Sequence, residues 1–119
     1  MNECLADSDL LELSRSSLAS FEQRLAAIPQ DLCAPFHQEA RHLETELLTV
    51  YRVVVLCTKR EEDLQKVSNW WRTMVEVCDQ FAARLSSLVQ SHPDCGAEQY
   101  YDRVLELRSK CLSLQKMHS

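Results

Sequence analysis

The chain has 119 residues, is 45% hydrophobic but only 7% aromatic, and carries a formal net charge of −5 with a pI near 5.3. That length supports one small domain with a packed core, and the acidic balance argues against nucleic-acid binding, because the arginines stand singly among acids rather than forming a basic face. The longest strictly apolar run, Val53-Val54-Val55-Leu56-Cys57, falls far short of the ~20 residues a membrane span needs. Met1-Asn2-Glu3-Cys4 has neither the basic flank nor the apolar stretch of a secretory signal, so the expected location is cytoplasmic or nuclear.

Gly96 is the only glycine, and Pro29, Pro35 and Pro93 leave 57 residues between the last two free of either breaker. Such a chain is expected to be all-helical. The first helix is predicted over 7–28, with Asp7 or Ser8 as its cap and Leu11, Leu18, Phe21, Leu25 and Ile28 on one face at the 3.6-residue period. Leu10 and Leu13 broaden that face. Pro29 stops the helix, since it lacks an amide donor and restrains the residue before it. Ser14, Ser16, Ser17 and Ser20 weaken its intrinsic helicity and make it the most exchangeable element.

The second helix is predicted over 35–58, with Pro35 in its first turn and a stripe of Phe36, Ala40, Leu43, Leu47, Val50, Val54 and Cys57. Tyr51–Cys57 alone would suit a strand, but its flanks are helical. Being apolar nearly all round, it is expected to be the most enclosed stretch of the fold. Thr58 and Glu61 match a capping box that would start a third helix over 61–91. Its stripe is Leu64, Val67, Trp71, Met74, Cys78, Phe81, Leu85 and Leu88. Leu43, Val50, Cys57 and Leu64 share one line, but the flanking apolar row changes sides across residues 58–63, which calls for a chain reversal there. A fourth helix over 97–117 carries Tyr100, Val104, Leu107, Cys111 and Leu114.

Short links between such helices favour antiparallel neighbours. The expected fold is an all-α, antiparallel up-down-up-down four-helix bundle, a single domain over 7–117 whose long third helix leaves one end free to project. The alternative is an elongated coiled-coil oligomer with one long central helix.

No phosphate loop, dinucleotide fingerprint, serine elbow or paired CxxC motif occurs, so the chain is not expected to be an enzyme or to carry a cofactor. Glu39-x-x-His42 is a single copy of a motif that di-iron bundles need twice. In the four-helix topology Cys33 and His37 meet His92 and Cys95 at one end, two thiols and two imidazoles of the kind zinc takes tetrahedrally. The six cysteines are otherwise expected to be reduced thiols, with Cys57, Cys78 and Cys111 on apolar stripes.

Trp71 lies on the core line of the third helix, whereas Trp70 and Val77 stand beside it, where Trp70 either packs against a further helix or anchors a partner. With Tyr51, Tyr100 and Tyr101 they form the candidate partner-binding set, an aromatic surface suited to a partner's amphipathic helix. The functional reading is a noncatalytic protein–protein interaction module, an adaptor or subunit of an intracellular complex. It has a protein partner or a second copy of itself, and no nucleic acid or membrane. The alternative is a regulatory bundle holding a small ligand or zinc near Cys33 and His92.

Overall fold

A computed structural model of the chain describes residues 7–118, with side chains from 9 to 117. The proposed caps Asp7 and Ser8, and Cys4, therefore lie outside the described side chains. Four helices follow one another: α1 (Asp7–Ala26), α2 (Ala34–Thr58), α3 (Leu64–Ser91) and α4 (Glu98–His118), with a 3₁₀ turn at Pro93–Cys95. They form the compact four-helix bundle, 51 × 27 × 16 Å, with α3 and α4 packed along their lengths. α1 rests on α2 and α3, and α2 also touches α4. The elongated single rod is ruled out by the reversal between Thr58 and Leu64.

Each boundary has a local cause. α1 tightens into a 3₁₀ closure, with Ala27 N–H donating to Arg24 and Ile28 N–H to Leu25, two residues short of the expected end. α2 begins with Pro35 in its first turn. The start of α3 differs from the expected capping box. Asp63 is the N-cap, in extended conformation, and its carboxylate accepts from the Gln65 and Lys66 amides. The Thr58 hydroxyl instead donates back to the Val55 carbonyl, and Glu61 accepts from the Asp63 amide. A carboxylate two bonds from its backbone reaches the first-turn amides, so α3 starts at Leu64 rather than 61. α4 follows Gly96, whose φ of +77° is the left-handed value that glycine adopts without strain.

α3, not the second helix's valine run, is the most enclosed element. Leu56 of α2 is 57% exposed, while α3 buries a row through Val67, Trp71, Met74, Cys78, Phe81, Leu85 and Leu88 and a second through Trp70 and Val77. The reason is position: α3 packs along the length of α4 while also meeting α1 and α2, the broadest contact of any helix here, so it needs apolar residues on two faces. Each large side chain so enclosed contributes about 1.5–3 kcal/mol.

The α1 interface is more polar. Arg24 Nε pairs with Glu39 at 2.8 Å, His42 Nε2 with Glu46 at 2.8 Å, and Ser17 donates to Glu46. Ser14, itself buried, donates to Gln80 of α3 at 3.1 Å. Two of the serines that weaken the helix, Ser14 and Ser17, therefore tie it down, while Glu39 pairs with Arg24 between α1 and α2 and His42 meets Glu46 along α2.

Candidate functional site

The four proposed metal ligands do come together at the end formed by the α1–α2 and α3–α4 links, but as a covalent clasp. Cys33 and Cys95 are joined in a disulfide with Cα atoms 4.8 Å apart, across 62 residues of sequence. This corrects both the zinc reading and the expectation of reduced thiols for that pair: sulfurs bonded to each other are not thiolate ligands. The imidazoles have other partners. His37 Nε2 lies 3.0 Å from the Tyr100 hydroxyl, with the rings edge-on, and His92 stacks on Phe36 at 3.8 Å between centroids. Among the described residues no group of three or more His, Cys, Asp or Glu side chains is placed to hold a metal ion.

The two halves of the clasp differ. Cys33 lies in an exposed stretch, Asp31–Ala34, and is the N-cap residue of α2. Cys95 is enclosed, 9% exposed, beside the buried Ala97 and Tyr100 in sequence. Next to this end, Phe21, Leu25, Phe36, Leu88, Arg84 and His92 line an open groove of about 370 Å³ between α1 and α3.

The aromatic set is mostly spent inside. Trp70 is 4% exposed, Val77 fully buried and Tyr100 5% exposed. In this conformation they present no face to a partner, because the breadth of α3's contacts draws its second apolar row inward. Tyr101 and Tyr51 are half-buried, with Tyr51 tilted against Trp71 at 5.7 Å and the Lys110 ammonium over its ring at 5.9 Å. The Trp71 Nε1–H is buried with no hydrogen-bond partner among the described residues.

Cys57, Cys78 and Cys111 are free and buried, as their place on the stripes implies. Cys78 of α3 and Cys111 of α4 share a hydrogen bond in the α3–α4 seam. That bond first, and burial second, hold the Cys78 thiol far above its ordinary value of 9.0. The same bond lowers Cys111 against the opposing effect of burial. Tyr51 is raised above 10.0 by burial and then by Cys111.

What sequence reading missed is the opposite end of the bundle. Leu56, at the last turn of α2, and Leu64, the first residue of α3, are 57% and 60% exposed on either side of the reversal. Val53 lies one turn before Leu56, also exposed. For Val53 and Leu56 a signal was available, since both lie off the α2 stripe; Leu64, expected on the α3 stripe, is instead exposed because the packed row begins at Val67. No helix among the described residues is long and apolar enough to cross a membrane. Comparison with protein-family models, with curated proteins and with solved structures finds no match to this chain.

Proposed function

We propose that the chain is a noncatalytic protein-interaction module that docks a partner on the apolar end around Leu56 and Leu64. The carrying observation is the exposure of these two leucines across the α2–α3 turn, with Val53 extending the apolar surface along α2. Isolated exposed leucines are ordinary, but three large apolar side chains around one turn offer a partner buried area. The turn beside them is of mixed charge, Lys59 and Arg60 next to Glu61, Glu62 and Asp63, with Glu61 paired to Lys66, and such a rim sets a partner's orientation rather than its net charge.

This keeps the interaction reading and moves the anchors from the buried tryptophan face to the turn. The test is a double substitution, Leu56→Glu with Leu64→Glu. Both side chains are more than half exposed, so melting should be unchanged within ~0.5 kcal/mol. Proteins captured from cell extract by the native chain and selectively lost by the folded double variant support the reading. Identical capture by both overturns it.

A further inference from the structure

We propose that Cys33 is a thiol–disulfide exchange centre, where a low-molecular-weight thiol such as glutathione attacks and Cys95 leaves. The two sulfurs of a disulfide are chemically equivalent until their surroundings separate them, and here the surroundings do so. Cys33 sits in an exposed link, flanked by exposed Leu32 and Ala34, whereas Cys95 is enclosed in the core cluster with Ala97 and Tyr100. Exchange proceeds by in-line attack on one sulfur with the other as leaving group. Solvent reaches Cys33, so a thiolate's approach is open there and closed at Cys95.

A second feature acts in the same direction. Cys33 is the N-cap of a 25-residue helix with no acidic residue in its first turn and no side-chain cap on its free amides. Negative charge at that position, on the incoming thiolate or on Cys33 itself once released, meets the positive end of α2. Cys95 has the weaker setting, a three-residue 3₁₀ turn with Asp94 inside it.

The steps balance. The thiolate RS⁻ bonds to Cys33 Sγ, the Cys33–Cys95 bond breaks, and Cys95 leaves with the electron pair and takes a proton from water. A second RS⁻ attacks the external sulfur of the mixed disulfide, releasing RSSR and the Cys33 thiolate. The net change is two RSH consumed, one RSSR formed and a dithiol left in the protein. Run backwards, RSSR oxidises the dithiol, with Cys33 carrying the adduct and Cys95 resolving it. Reduction unties the α1–α2 link from the α3–α4 link, at the end where Phe36 and His92 border the α1–α3 groove. This chemistry is at the opposite end from Leu56 and Leu64, so it stands or falls separately from the docking reading.

The test uses glutathione itself. The full chain with Cys95→Ser, treated with glutathione disulfide, should hold one glutathione on Cys33 by peptide mass. The Cys33→Ser chain should modify Cys95 at least tenfold more slowly. Because either variant could fold poorly, the native chain is also partly reduced with limiting glutathione, quenched with acid and mapped. The mixed disulfide is expected on Cys33. Three results overturn the proposal: a native chain whose intact mass shows no Cys33–Cys95 bond after oxidative refolding, adducts formed on Cys95 as fast as on Cys33, or simultaneous modification of the buried Cys57, Cys78 and Cys111, which would mean that exchange occurs only through unfolding.

Discussion

His37 and Tyr100 join α2 to α4 across the clasped end, with the imidazole Nε2 3.0 Å from the phenolic hydroxyl and the two rings edge-on at 5.2 Å. The contact sits beside the disulfide, and the Arg103 guanidinium covers the Tyr100 ring at 5.4 Å. Tyr100→Phe keeps the buried ring and removes only the hydroxyl. Urea unfolding should show a loss of about 0.5–1.5 kcal/mol, the net worth of one such bond. No loss would show that water serves His37 equally well.

Gly96 is tied to the same pair. Its φ of +77° disfavours any residue with a Cβ, and a Cβ built there would lie 3.1 Å from His37 Nδ1. Gly96→Ala should cost about 1–2 kcal/mol from the backbone alone. The ring must also shift, so the double variant Gly96→Ala/Tyr100→Phe should cost less than the sum of the singles. Strict additivity in denaturant melts would separate the glycine from the His37–Tyr100 contact.

Trp70 and Trp71 are adjacent in sequence and both enclosed. Each replacement by alanine should destabilise by about 3–5 kcal/mol, the range for a buried aromatic truncated to alanine. Had Trp70 been a surface anchor, its substitution would be nearly silent in a melt. A Trp70→Ala chain with native stability would restore that role and contradict the packing described here.

The reversal after Thr58 was legible because the apolar row flanking Cys57 and Leu64 changes sides there, something a continuous helix would not do. The stripes of α2 and α3 were legible for the same reason of period. For Trp70 the sequence left packing against a further helix and anchoring a partner both open, because a single stripe suffices for a helix with neighbours on one side; its burial with Val77 goes with α3 having neighbours on three. The meeting of Cys33 with Cys95 followed from topology, but zinc and a disulfide ask for the same proximity. Only the bond between the sulfurs distinguishes them. Leu56 could have been singled out by its place off the α2 stripe, whereas Leu64 reads as core on the α3 stripe until its exposure is known.

Removing the clasp should reveal its share of the stability. The bond spans 62 residues, so it restricts the unfolded chain strongly, and Cys33→Ser should lower stability by about 2–5 kcal/mol. The native chain in excess reductant should unfold at the same urea concentration as that variant, since both lose one constraint and little packing. A reductant-insensitive midpoint would show that the bond stabilises nothing.

Alkaline pH should weaken the fold through Tyr51 and Cys78. Both hold their protons more tightly in the folded chain than their ordinary values of 10.0 and 9.0. Below those values both states are protonated and the stabilisation is complete. As pH climbs past them the unfolded chain releases protons that the folded one retains, so unfolding gains ground. Cys111, lowered by its bond from Cys78, works in the opposite sense and partly offsets this. Stability should therefore rise, through Cys111, as pH approaches about 9 and fall from there to about pH 11 as Cys78 and Tyr51 keep protons that the unfolded chain releases. Replacing Cys78 and Cys111 together by alanine removes the coupled pair, leaves Tyr51 as the remaining contributor, and should flatten the profile between about pH 8 and 10. Urea midpoints at stepped pH read this directly, and an equal slope in the double variant would place the alkaline sensitivity elsewhere in the chain.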